Sequence, residues 1–182
     1  PNFSKKLAPY GKADWNECYH CGNCSAICPL TENGFLFPRK GIRAMQMGLK
    51  DQLKGYVDPW LCYYCGECTD TCPRDANPAE MMMTLRRWLT AAYDWTGISG
   101  LLYRSFRAHL TVMILLFLGV CAAFFAFADF SIPATSEGIV EINAFAPAHL
   151  IASIDHILLL TLGFFLITNM LNMFVRVIIK DK

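Results

Sequence analysis

Cys18-Tyr19-His20-Cys21-Gly22-Asn23-Cys24-Ser25-Ala26-Ile27-Cys28-Pro29 and Cys62-Tyr63-Tyr64-Cys65-Gly66-Glu67-Cys68-Thr69-Asp70-Thr71-Cys72-Pro73 are two copies of one pattern, identical at seven of twelve positions. Eight of the nine cysteines fall in them. Cysteines spaced x2, x2 and x3, with proline after the fourth, make the run by which thiolates hold a 4Fe–4S cubane. The other readings of so many cysteines are weaker. Structural zinc usually draws on two separated ligand pairs. A disulfide scaffold belongs to an oxidising compartment, yet Pro1-Asn2-Phe3-Ser4-Lys5-Lys6 is followed by no apolar core of a secretory signal. The expected chemistry of this part of the chain is one-electron transfer.

Tandem runs of this kind resemble the two-cluster ferredoxins, in which the fourth cysteine of each run ligates the other cluster. The resemblance implies one cube on Cys18, Cys21, Cys24 and Cys72, and a second on Cys62, Cys65, Cys68 and Cys28. Gly22 and Gly66 leave room for backbone N–H groups to approach sulfur. Pro29 and Pro73 turn the chain away after the last ligand. His20, between two ligands, reads as a surface histidine, with tuning of the cluster as the lesser alternative. Between the runs, residues 38–49 predict a helix opened by Pro38, with Ile42, Met45, Met47 and Leu49 as its apolar positions. Trp60 reads as core packing, with shielding of the second cluster as the alternative. Asn77, Pro78 and Glu80 suit the N-cap, first and third positions of a helix running to about Tyr93. The Met, Leu and Trp side chains of that helix suit its own domain, a partner subunit or a membrane surface alike. Trp88, Tyr93, Trp95 and Tyr103, with Arg86, Arg87, Arg104 and Arg107, read as a belt approaching a bilayer.

Composition divides the chain. It is 54% hydrophobic, with a mean hydropathy of +0.32, more than a soluble domain of 182 residues needs. Residues 1–108 hold 13 Lys and Arg against 10 Asp and Glu; residues 109–182 hold 3 against 5. We therefore expect a cytoplasmic cluster domain at 1–108 and a membrane domain at 109–182, with spans at about 109–130 and 148–176. Leu110–Ala128 and Ile157–Val175 are each nineteen residues without a charge, close to the length that crosses ~30 Å of hydrocarbon. Arg104 and Arg107 precede the first span, and Arg176, Lys180 and Lys182 follow the second. The loop from Asp129 to Pro147 carries Asp129, Glu137 and Glu141 and no basic residue. The positive-inside rule then places the clusters and both termini on the cytoplasmic side of the cytoplasmic membrane. The net charge of +1 and the absence of a basic run give no sign of nucleic-acid binding.

Polar residues within apolar spans are functional candidates. His149 and His156 are seven apart, nearly one above the other on a helix, and Gly163 continues the face. An imidazole for axial ligation beside a small residue is what a haem-binding helix needs. His156, the deeper, is the first candidate ligand of a b haem and His149 the second. The simpler reading has His149 capping at the interface, with Asp155 and His156 bonding to a neighbouring helix. Asp155 is a weaker candidate for proton uptake at a quinone site. His109 opens the first span and is a weak candidate for haem or quinone, with interfacial capping the simpler role. Cys121 reads as a small packing residue.

The two runs, the Asp58-to-Cys68 stretch, the segment Cys72-to-Glu80, Leu85-Arg86-Arg87-Trp88-Leu89 and the apolar half behind them resemble the heterodisulfide-reductase C-type subunits. The similarity is to the form fused to a cytochrome b-like membrane domain, found in the quinone-interacting membrane-bound oxidoreductases of sulfate reducers. The fold implied is mainly α: an α-helical ferredoxin-like two-cluster domain followed by transmembrane helices. The cofactors implied are two 4Fe–4S clusters and b haem, with menaquinone or another quinone as substrate. The partners implied are flavin- and iron–sulfur-containing subunits resembling heterodisulfide reductase A, and adenylylsulfate reductase. The family's membrane half has more helices than the two visible here, so a bis-histidine haem would need a second ligand beyond these 182 residues. The leading expectation is an electron-transfer subunit linking quinone to those partners. The alternatives are a cluster-bearing wire merely anchored to the membrane, and a membrane-tethered redox sensor.

Overall fold

The computed structural model describes residues 3–12, 14–33, 36–127, 135–136, 139–140, 148–175 and 179. The chain is mainly helical and divides into two compact units, Pro1–Phe106 with Asn172–Lys182, and Arg107–Leu171.

The first unit is organised on one long helix. Its start obeys local rules: the Asn77 side-chain oxygen accepts from the Glu80 backbone N–H at 3.2 Å, and Pro78 occupies the first turn, where no N–H is needed. Asn77 itself sits at φ 51°, and Thr69 donates its hydroxyl to the same side-chain oxygen at 3.0 Å. We number the helices α1 (Phe3–Leu7), α2 (Asn23–Ile27), α3 (Arg39–Met47), α4 (Lys50–Lys54), α5 (Asp58–Leu61), α6 (Glu67–Asp70), α7 (Pro78–Tyr93) and α8 (Ile98–Arg104). On α7, Met81, Met82, Leu85 and Leu89 are fully buried. They meet Phe3 and Leu7 of α1, Ile42 and Met45 of α3, Leu53 of α4, Trp15 and Phe37 in one core. Each such side chain contributes about 1.5–3 kcal/mol by leaving water. Of the three surfaces the sequence left open to this helix, its apolar stripe takes its own domain.

Helix α3 buries Ile42 and Met45, as the spacing predicted, and ends where Gly48, at φ 72°, turns its N–H back to the carbonyls of Ala44 and Met45. Met47 corrects the reading: at 57% exposed it stands on the opposite side from the core.

The second unit holds α9 (Phe106–Phe127) and most of α10 (Ala148–Phe174), with a two-residue antiparallel ladder pairing Thr135 with Val140 and Ser136 with Ile139. Both helices are long and apolar enough to cross a membrane, over Phe106–Ala123 and Ile151–Phe174, and neither stretch is buried. At 1.5 Å per residue α9 extends about 33 Å and α10 about 40 Å. Their hydroxyls bond within the helix: Thr111 to the Arg107 carbonyl at 2.8 Å, Thr161 to that of Ile157 at 2.7 Å, and Thr168 to that of Phe164 at 2.9 Å. That is how a polar side chain is tolerated on an apolar helix. Asp129, Glu137, Glu141, Arg176, Lys180 and Lys182, whose charges bear on sidedness, lie outside the described residues.

Candidate metal centres

Each cysteine run folds as the same local shape. The residue before the second cysteine is left-handed in both, His20 at φ 64° and Tyr64 at φ 58°. So is the glycine after it, Gly22 at φ 91° and Gly66 at φ 90°. Glycine takes that conformation without steric penalty, whereas His20 and Tyr64 are held there by their surroundings. Each glycine then starts a short helix: Ser25 and Ala26 donate to the Gly22 carbonyl at 3.0 and 3.1 Å, and Thr69 and Asp70 to that of Gly66 at 2.8 and 3.1 Å. The sequence repeat is thus a repeat of backbone angles, curling each loop around a hollow.

The hollows are two small cavities, open on one side to solvent. Cys18, Cys21, Cys24 and Cys72 line the first. Cys62, Cys65, Cys68 and Cys28 line the second. The structure therefore brings the fourth cysteine of each run to the cavity of the other. Helices α2 and α6 pack together, the Asn23 amide donates to the Thr71 carbonyl at 2.5 Å, and Arg74 pairs with Glu17 at 2.7 Å. The first and fourth cysteines of both runs lie against the core, whereas Cys21 and Cys65 are exposed.

Burial, then the neighbouring Cys18 and Cys21, push the Cys24 thiol up to about 11. Burial, then Cys24, Cys62 and Cys65, push Cys68 up to about 12, and burial also raises Cys28. Left as thiols these groups stay protonated at neutral pH, so taking up metal expels protons. Among the described residues no three His, Cys, Asp or Glu side chains converge as a single metal ion requires. Four soft sulfur donors spread round the wall of a cavity fit a multi-atom cluster better than one zinc ion.

Two side chains that carry no signal in the sequence hold the ligand loops. The Gln46 amide donates to the carbonyls of Trp15 at 2.6 Å and Cys18 at 3.0 Å, and its oxygen meets His20 Nε2. Arg86 donates to the carbonyls of Pro59, Trp60 and Cys62. Pro59 and Cys62 occupy in the second run the places of Trp15 and Cys18 in the first, so the same carbonyls are fastened by a neutral amide on one side and a guanidinium on the other. No local pattern marks Gln46 or Arg86, because each reaches its loop from a helix 24 to 31 residues away.

Several expectations are corrected here. His20 is half-buried and tied to Gln46 rather than a plain surface group. Trp60 is 44% exposed with the Arg86 guanidinium 6.0 Å from its ring centre, so it is not a core residue. Four members of the expected interfacial belt serve the first unit instead. Arg86 holds the Cys62 loop, Arg87 pairs with Glu80 at 2.7 Å, Trp88 packs edge-on to Phe3 at 5.1 Å, and buried Tyr93 bonds the Lys54 carbonyl.

A broad groove borders the first cavity. Tyr19, His20 and Arg39 line both, and Lys40 and Arg43 complete its basic wall.

In the second unit His109 lies on α9, and His149, Asp155 and His156 lie on α10, all exposed. His156 Nδ1 contacts the Ala152 carbonyl at 2.5 Å. An imidazole so engaged carries its proton on Nδ1 and leaves Nε2 as a donor for a metal. Ser153 donates to the His149 carbonyl at 2.8 Å, and among the described residues no neighbour lies within 4 Å of where a Gly163 Cβ would stand. Cys121 is half-buried.

Comparison with known proteins bears on the first unit. Residues 14–76, which contain all eight motif cysteines, match the family model described as a 4Fe-4S dicluster domain. A 77-residue stretch is 42% identical to a protein of Archaeoglobus profundus named as similar to the C-type subunit of heterodisulfide reductase, covering 42% of this chain and 41% of that protein. The chain thus spans about two fifths of the length of the curated relative it matches. No solved structure matches. The domain match and the homologue support iron–sulfur clusters and electron transfer through them.

Proposed function

We propose that the chain is the electron-transfer subunit of a membrane-bound oxidoreductase, linking a membrane quinone to cytoplasmic flavin and iron–sulfur subunits in the manner of the quinone-interacting oxidoreductases of sulfate reduction. The observation that carries this reading is the pair of cavities, each walled by three cysteines of one run and the fourth of the other. Cys18, Cys21, Cys24 and Cys72 would hold one 4Fe–4S cluster, and Cys62, Cys65, Cys68 and Cys28 the other. Such clusters supply one-electron transfer. The chain's own work is to place the sulfurs, to keep one edge of each cavity at the surface through Cys21 and Cys65, and to set the charge and burial around them. The partners are subunits resembling heterodisulfide reductase A, with adenylylsulfate reductase beyond them.

In this reading residues 109–182 are a membrane domain, α9 and α10 cross the bilayer, and the cluster domain at 1–108 lies on the cytoplasmic side with both termini. Arg104, before α9, and Arg107, in its first turn, favour that orientation. His156 is the residue best fitted to a b haem, because its Nδ1 is engaged and its Nε2 has no partner among the described residues; His149 is the second candidate. His109 and Asp155 are the candidates at a quinone site.

The test is analysis of iron and acid-labile sulfide in the purified protein, with optical and paramagnetic resonance spectra of the intact complex under a quinol analogue. About eight irons per chain are expected, together with a haem absorption band. Zinc in their place, or fewer irons, overturns the cluster reading. A second reading, a two-cluster wire anchored without its own haem or quinone chemistry, is favoured by the exposure of both α10 histidines. Absence of the haem band from the intact complex decides for it.

A further inference from the structure

We infer that the two clusters differ in potential and that charge on the cavity walls sets the order, with the cluster of Cys18, Cys21, Cys24 and Cys72 the higher. This rests on the proposal that the eight cysteines hold two clusters. Gaining an electron makes a cluster more negative, so a cation in its wall raises the potential and an anion lowers it. The repeat makes the comparison internal. At the residue before the third cysteine, the first run has neutral Asn23 and the second has Glu67, and each lines its own cavity. The first cavity is also lined by Arg39, whose guanidinium lies 3.5 Å from where a Gly22 Cβ would stand. No carboxylate among the described residues pairs with Arg39. Arg74 lines that cavity too, but Glu17 offsets it at 2.7 Å. Among the described residues no basic side chain lines the second cavity.

The opposing charge is Arg86. It grips the Cys62 carbonyl from behind, outside the cavity wall, and its charge is shared with three carbonyl oxygens. Glu80 approaches the second cavity through the Tyr64 hydroxyl at 3.4 Å, and Arg87 neutralises it at 2.7 Å. The wall charges that remain are Arg39 beside one cluster and Glu67 beside the other. Both push in the same direction, so an electron shared between the clusters rests on the first, next to the basic groove.

The experiment is a redox titration of the full chain in detergent, reconstituted with iron and sulfide and followed by paramagnetic resonance. Two separated one-electron steps are expected. Glu67→Gln should raise the lower step alone, and Arg39→Gln should lower the upper step alone. Each should change the reduced-to-oxidised ratio at a fixed potential by about threefold or more, and less at high salt, since Glu67 is exposed. Arg39→Lys should keep the upper step near its place, which a merely structural role for Arg39 does not predict. Asn23→Asp should bring the two steps together. About eight irons per chain with coincident steps, or with Glu67→Gln moving the upper step, overturns this inference alone. Fewer irons overturn the cluster assignment and this inference with it.

Discussion

Helices α7 and α10 carry similar side chains and use them in opposite ways. Leu85 on α7 is fully buried in the core of its unit, whereas Leu160 on α10 is 73% exposed. The first unit closes its apolar surface on itself; the second leaves its apolar surface to something outside the chain's described residues. The contrast separates a domain whose stability is internal from helices whose stability depends on lipid or on further helices.

The largest effect that sharpens the contrast is on metal content. Replacing Cys72 with Ser should remove the cluster on Cys18, Cys21 and Cys24 and leave the one on Cys62, Cys65, Cys68 and Cys28, about half of the iron. Cys28→Ser should do the reverse. Loss of the cluster of its own run in either variant would mean that the cavities are not completed across the repeat.

Next comes the comparison itself. Leu85→Ala should destabilise the first unit by about 2–5 kcal/mol, whereas Leu160→Ala in the detergent-solubilised chain should stay within about 0.5 kcal/mol. Denaturant melts of the two variants measure this. Equal costs would mean that α10 has a packed protein neighbour over Leu160.

Arg86→Ala frees the carbonyls of Pro59, Trp60 and Cys62 at once. A loss of about 1.5–3 kcal/mol is expected, with Gln46→Ala nearer 1 kcal/mol because its hydrogen bonds are uncharged. If thermal melts rank them the other way, the two loops are not held as described.

The smallest effect lies in the turn before α8. Burial alone would raise the Asp94 carboxyl, but hydrogen bonds from the Thr96 and Ser99 side chains and backbones outweigh it and bring the group down to about 2. The Thr96 and Ser99 backbone N–H groups donate at 2.8 and 2.7 Å. A depressed carboxylate stabilises the fold above its unfolded value of about 3.9, and that contribution disappears as pH falls towards 2. Asp94→Asn should therefore lose about 1 kcal/mol at neutral pH, and the difference from the parent protein should narrow in melts at pH 2–3.

Legibility in the sequence followed the range of the interaction. The ligand loops, the start of α7 at Asn77-Pro78, the core role of Ile42 and Met45, and the two apolar stretches were all readable, because each is written within a few consecutive residues. Trp60, Met47, Arg86, Arg87 and Trp88 were misread. Their types fit core, interface or belt equally well, and local spacing does not tell which neighbour folds back on them. The role of Gln46 is illegible for the same reason: a glutamine on a helix says nothing of two carbonyls 28 and 31 residues earlier.

By itself the sequence determined the chemistry of the donors, the twofold repeat, the helical class and the polarity of the two halves. Thiolate spacing, capping and hydropathy are properties of neighbouring residues, and their physics is complete within one or two turns of chain. Only the tertiary structure decided that an amide steadies one loop and a guanidinium its twin, and that Arg39 lines one cavity and Glu67 the other. Those outcomes depend on the packing of α3 and α7 against segments far away in the chain, where distance in space, not in sequence, sets the energy.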